Sequence, residues 1–255
     1  MSRALSSAIT LVLTVLAPVA YAAALPQVPV TACGQVVPPK TLGYLTGDLD
    51  CTGFTGGPPN VGVYDNDDKG AAVYLEKNSK LDLRGFTLTG GFNGVLCNAF
   101  VCTNGRPCSR NACEVFGGAI VANGNTSRGV GGVEPIVHDV TITGFLNGIY
   151  AYKKARVTNA TISNSVAIGV GGKTLFVTNC TITNNGIFGV EENNTVGMLR
   201  LTGSTVTGNG TDPLCGVNPC ADVIAARRPR VTDTVCDTSI ASGSGSGNWK
   251  VCTLD

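Results

Sequence analysis

The chain has 255 residues, a net charge of +1 and only 14% charged residues. It has no basic stripe of the kind that nucleic-acid binding requires, so no nucleic-acid partner is expected. Glycine is abundant at 34 residues, as a chain that turns repeatedly requires.

Residues 1–22 open with Arg3, continue in an apolar run and end in small residues around Ala20, Ala22 and Ala23. This pattern reads as a secretory signal peptide. No later apolar stretch is long enough to span a bilayer, so the expectation is a secreted or periplasmic monomer without a membrane span. Eleven cysteines in an exported chain read as disulfides. Spacing suggests Cys33 with Cys51, Cys215 with Cys220 and Cys236 with Cys252. Two further bridges are expected among Cys97, Cys102, Cys108 and Cys113, with the pairing open. The absence of CxxC and the oxidising compartment disfavour zinc there. Cys180 is left over in an inward slot, as a buried thiol.

Residues 23–62 are rich in Pro and Gly and read as an N-terminal cap. A solenoid is expected over 63–214. Its first stretch holds Asp65, Asp67 and Gly70 at a spacing faintly like a calcium loop. There is no downstream bidentate Glu at the expected position, and Lys69 stands where a ligand is wanted, so a solvated turn is favoured. Leu83 and Leu88 mark a first coil. Residues 97–113 read as a disulfide-tied insertion, Val115 to Val121 as another coil, and Gly124 to Gly132 as a loop.

From Val133 the chain repeats itself: VHDVTITGFLNGIYAY, VTNATISNSVAIGV, VTNCTITNNGIFGV, LTGSTVTGNG. Ile142, Ile162, Ile182 and Val206 lie 20, 20 and 24 residues apart. Val137, Val157, Val177 and Leu201 each precede one of them by five. Five is odd, so both residues can face inward only if the register slips between them. Asp139, Asn159, Asn179 and Gly203 stand at that slip, and Asp, Asn and Gly tolerate the left-handed backbone it needs. A second turn falls at Gly144, Asn164, Asn184 and Gly208. A third strand then carries Tyr150, Val170 and Val190 in one expected core slot. Three short strands per coil of about 20–24 residues make an all-β parallel β-helix. Residues 215–255 are expected to form a C-terminal cap and tail.

LDLRGFTLTGG, VTNATISNS and VTNCTITNNGIFGV resemble the right-handed parallel β-helix repeat family, the pectate-lyase-like superfamily. The mature chain also resembles exported bacterial β-helix proteins of unassigned function. The resemblance implies a right-handed coil and, from its characterised members, action on acidic polysaccharide along the outer face. The polygalacturonase motifs do not occur together here; Asp67-Asp68 is the only match.

One constellation fits a polysaccharide lyase, which needs a base for the proton α to the carboxylate. Lys153 and Lys173 take equivalent places in adjacent coils, about 5 Å apart, with Arg156 close by; these three are the candidate catalytic residues. Tyr152, Glu191 and Glu192 are candidates for substrate binding, and nearby Glu could hold calcium, although no metal ligand set is assigned. The bland reading makes all of them solvated turn residues. His138, the only histidine, is expected as an exposed, ordinary imidazole, and with one histidine no multi-histidine site exists. The expected role is binding or processing acidic extracellular or cell-wall polysaccharide, by β-elimination if the protein is an enzyme. The alternative is a non-catalytic structural, adhesive or surface-binding module. Its outward Thr pairs (Thr87 and Thr89, Thr141 and Thr143, Thr161 and Ser163, Thr181 and Thr183, Thr205 and Thr207) would form a double row resembling an ice-binding face. The N-x-S/T sequons at Asn125, Asn159, Asn179, Asn193 and Asn209 read as by-products of the repeat.

Overall fold

A computed structural model of the protein describes residues 24–56, 70–90, 92–97, 112–122, 127–216, 220–242 and 249–252. The segment 1–22, the acidic turn at 65–69, Asp67-Asp68, Cys102, Cys108 and the sequon at Asn125 lie outside them. Within the described residues, 22 short strands form one all-parallel pairing network. Each strand pairs with its counterpart about one coil away, which is the hydrogen-bond pattern of a parallel β-helix.

The two apolar residues of each unit fill the core. Val137, Ile142, Val157, Ile162, Val177 and Ile182 are fully buried. Each such residue contributes about 1.5–3 kcal/mol on leaving water. The slip between them occurs where the sequence places it. Asp139, Asn159 and Asn179 have φ of 52°, 51° and 52°, and Gly203 has 58°. The second turn repeats the device at Asn164 and Asn184, with φ of 55° and 57°. Strand pairing runs Thr141 to Thr161 to Thr181 to Thr205, in register along the axis.

Strand pairing extends into both segments read as caps. Gln27–Val30 pairs with Leu42–Leu45, and Val37 pairs with Leu75. At the other end, Arg230 pairs with Arg200, and Ala225 with Ala241. The expected loop at 124–132 contains a strand, Arg128–Gly132, which pairs with Asn93–Cys97 and with residues 147–151. Two of its five residues are hydrophobic or charged and three are glycine, so it carries too little apolar pattern to read as a strand.

Tyr150 does not occupy the core slot of Val170 and Val190; Ile149 does. Thr143 pairs with Ser163 at an offset of 20, but Asn147 pairs with Ile168 at 21. The turn after Gly144 is therefore one residue shorter than the turn after Asn164. The register returns to 20 at Lys154 and Thr174, across an irregularity between Ala151 and Lys154. Two residues, Tyr152 and Lys153, thus stand against the single Lys173.

A column of glycines was missed at the sequence level. Gly94, Gly129, Gly148, Gly169 and Gly189 lie in successive coils. A Cβ on Gly148 would sit 2.6 Å from the Gly169 carbonyl oxygen, and one on Gly169 2.6 Å from that of Gly189. The coils approach this closely only because no side chain intervenes.

Disulfides join Cys33 to Cys51, Cys97 to Cys113, Cys215 to Cys220 and Cys236 to Cys252. Cys180 is free and buried, and burial pushes its thiol pKa up. Four bridges among the described residues fit an oxidising, extracellular-like environment. No helix among these residues is long and apolar enough to cross a membrane.

Candidate functional site

The short turn and the bulge described above act on one corner of the coil. Slipping Tyr150 out of the core slot places its ring on the outer face, over Gly171, where an added Cβ would lie 3.0 Å from it. The bulge then presents Tyr152 and Lys153 together, the kind of re-aiming that β-bulges provide. The two tyrosine rings meet edge to face, with centroids 5.8 Å apart and planes at 83°. Beneath them Arg128, only 5% exposed, donates from Nη1 to the Tyr152 hydroxyl at 2.7 Å. Its guanidinium carbon lies 5.1 Å and 5.2 Å from the two ring centroids. On the other side Asn193 Nδ2 donates to the Tyr150 hydroxyl at 3.3 Å.

Lys153 and Lys173 are exposed on this corner. Glu191 extends the same outward column two coils beyond Tyr150, pairing with Gly171 of the coil between. It is half-buried, and desolvation, followed by the neighbouring Glu192 carboxylate, raises its pKa above the ordinary 4.5. Glu192 faces the other way and is fully buried. Its Oε1 accepts from the Asn194 N–H at 2.8 Å and its Oε2 from the Ala226 N–H at 3.0 Å. Its carboxylate thus ties two loops together, with both oxygens engaged inside the fold. Among the described residues no three His, Cys, Asp or Glu converge to hold a metal ion.

Arg156 lies apart from the two lysines, on the outward face of the next sheet. It pairs with Phe176, and its guanidinium carbon lies 5.2 Å from the Phe176 centroid, with Lys154 Nζ at 5.4 Å. The structure therefore brings Tyr152, Lys153, Lys173 and Glu191 to one corner, turns Glu192 inward and moves Arg156 to a neighbouring face. Arg128, Tyr150 and Asn193 join the corner unannounced by the repeat. Only the one-residue difference between the turns after Gly144 and Asn164 hinted at Tyr150.

His138 is not the exposed, ordinary imidazole expected. It is half-buried and stacks on Phe116, with ring centroids 4.9 Å apart and planes 5° off parallel. Nε2 is bonded to Glu114 at 2.7 Å and Nδ1 to Asp139 at 2.8 Å. Desolvation lowers its pKa, but the bonds to Asp139 and Glu114 outweigh this and leave it raised above 6.5. With both ring nitrogens engaged, His138 is a clamp between coils rather than a free base.

Compared with known protein families, curated proteins and solved structures, the chain matches none.

Proposed function

We propose that the protein binds acidic extracellular or cell-wall polysaccharide across the corner formed by Tyr150, Tyr152, Lys153 and Lys173. The observation that carries this reading is the pair of tyrosine rings fixed from beneath by buried Arg128 and flanked by two exposed lysines. Ordered rings offer an apolar platform for a sugar face, and the lysines offer cations for its carboxylates. Support also comes from the resemblance to pectate-lyase-like solenoids, and the disulfides are consistent with export through the segment 1–22.

The reaction this corner suits is β-elimination. Lys153 or Lys173, as the base, takes the proton α to the uronate carboxylate. The electron pair then forms the new C=C bond and expels the glycosidic oxygen, which takes a proton from Glu191, whose raised pKa suits that task. Purified protein mixed with pectate, alginate and chondroitin, with and without calcium, tests this through the ultraviolet absorbance of the unsaturated product. A signal lost in Lys153→Ala or Lys173→Ala supports the lyase reading. Calorimetric binding without absorbance, weakened in Tyr152→Ala, supports binding alone. Silence in both experiments overturns the proposal.

One observation favours a second, non-catalytic reading. Thr141, Thr161 and Thr181 are all exposed and paired in register, beside the parallel row Thr143, Ser163, Thr183 and Thr207. Such a row suits docking on an extended surface without turnover.

A further inference from the structure

The basic runs in the sequence are short, Lys153-Lys154-Ala155-Arg156 and Arg227-Arg228-Pro229-Arg230, yet the coil assembles a longer row. Arg156 pairs with Phe176, Phe176 with Arg200, and Arg200 with Arg230, so that three arginines and one aromatic ring stand in a single outward column. The column is flanked by Lys154, Thr174 and Met198 on one side and by Thr158, Thr178, Thr202 and Thr232 on the other. Across these coils the outward positions of the sheet hold four cations and no carboxylate. For a chain of net charge +1, this is a marked local excess. Arg156, Arg200 and Arg230 are exposed, and none of the four forms an ion pair with a described residue. The row spans three coil steps, roughly 14 Å along the axis.

At its upper end the row runs into a shallow groove of about 130 Å³, lined by Ala112, Glu134, Pro135, Ile136, Lys154 and Arg156. Glu134 is the acidic boundary there. The next carboxylate up the column, Glu114, is ion-paired with Lys80 at 2.5 Å and hydrogen-bonded to His138.

We propose that the column Arg156–Phe176–Arg200–Arg230, with Lys154, is a second binding site, a cationic rail that takes a linear polyanionic glycan lying parallel to the helix axis. The proposal rests on the polysaccharide reading and adds to it a separate anchoring face, one sheet away from the tyrosine corner. Charge complementarity selects the class of ligand, because exposed guanidinium groups pair with carboxylates or sulfates in bidentate fashion. A single-stranded nucleic acid fits less well. Its bases need free aromatic platforms, and the one ring here, Phe176, is already covered by Lys154 and Arg156.

The test compares wild type, Arg200→Ala/Arg230→Ala and Lys153→Ala/Lys173→Ala for binding to polygalacturonate, neutral dextran and single-stranded DNA, at low and high salt. The rail residues are exposed, so circular dichroism and thermal melting should show the double variant folded as wild type. The expected result is an affinity for polygalacturonate reduced about tenfold in the rail variant at low salt, with the difference shrinking at high salt. Wild-type affinity in the rail variant, with loss in the lysine variant, overturns the rail and leaves the corner reading standing. Unchanged binding in both variants, or no binding by wild type, removes both. Tighter binding to DNA than to polygalacturonate, lost in the rail variant, overturns the choice of occupant.

Discussion

Nε2 of His138 lies 2.7 Å from Oε1 of Glu114, which belongs to the preceding coil. Nδ1 of the same ring lies 2.8 Å from Oδ2 of Asp139, and Asp139 Oδ1 accepts from Asn159 Nδ2 at 3.1 Å. Lys80 reaches Glu114 from the other side. Five side chains on four successive coils therefore form one chain of polar contacts along the axis. Both ring nitrogens face carboxylates, so both donate only when the imidazole is protonated.

This fixes the sign of a pH effect. The pKa of His138 is raised above 6.5, so its contribution is complete below that value and is lost as pH rises through the folded-state pKa. Glu114 is opposed by desolvation, but the bonds from Lys80 and His138 prevail and lower its pKa below 4.5. Its contribution is present above 4.5 and lost as pH falls through the lower folded-state value. Other charges near this chain, Asp82 and Arg84, pair with each other. Thermal melting should therefore show higher stability near pH 5.5 than near pH 8.5, to about the extent one clamp allows. His138→Gln should flatten that slope; an unchanged slope in the variant would show that other groups set it.

The glycine column makes a steric prediction. An added methyl at Gly169 meets the Gly189 carbonyl oxygen at 2.6 Å and Ile182 Cγ2 at 2.8 Å, where backbone cannot yield without moving a coil. Gly169→Ala should cost about 3 kcal/mol or more in urea unfolding. Gly47 has nothing within 4 Å of the added atom, so Gly47→Ala serves as the control and should change stability by less than about 0.5 kcal/mol. Equal effects of the two changes would mean that close coil approach is not what the glycines provide.

What the sequence revealed and what it hid follow from the same period. The inward pair Val157 and Ile162 recurs in every unit, and so do the turn residues Asn159 and Asn164, so core and turns were legible. Features that depend on departures from the period were not. Tyr150 leaves the core because one turn lacks a residue, and Tyr152 is re-aimed because a bulge restores it. The arginine column was hidden by dispersal: Arg156, Arg200 and Arg230 are separated by 44 and 30 residues, and only unequal coil lengths bring them into line. His138 was read as exposed because a partner 24 residues earlier, Glu114, falls outside any local pattern.

The left-handed turn can be tested within its own column. Asn179 has φ of 52° and is exposed, and the next coil places Gly203 at the same position with φ of 58°. Asn179→Gly should therefore be tolerated, whereas Asn179→Ala forces a Cβ into the disfavoured region at a cost of about 1–2 kcal/mol. Denaturant midpoints measure both. A loss in Asn179→Gly as large as in Asn179→Ala would place the role of Asn179 in its side-chain contacts instead of its backbone.

Inside the second turn a different ladder runs, and its end is the most sensitive point in the C-terminal coils. The Ser165 N–H donates to Asn185 Oδ1 at 2.9 Å, and the Asn185 N–H donates to Asn209 Oδ1 at 3.0 Å. Asn209 passes both its N–H and its Nδ2 on to Asp222 Oδ1, at 3.1 Å and 2.8 Å. Each asparagine accepts from one neighbour and donates to the next, so a chain running this way must end on an acceptor. Asp222 is that end: it is 2% exposed, and its Oδ2 takes the N–H groups of Asp237 and Thr238 at 3.0 Å and 3.1 Å. Asp222→Ala strands the N–H groups of Asn209, Asp237 and Thr238, while Asn209 Nδ2 keeps the Ile182 and Thr207 carbonyls, and should cost about 3 kcal/mol. Asp222→Asn keeps one oxygen but turns an NH₂ toward other N–H groups, so it should cost nearly as much despite its near-identical shape. Hydrogen exchange at the Asp237 and Thr238 amides, followed with urea unfolding, checks both; full protection in Asp222→Asn would show that shape rather than acceptor capacity holds the ladder's end.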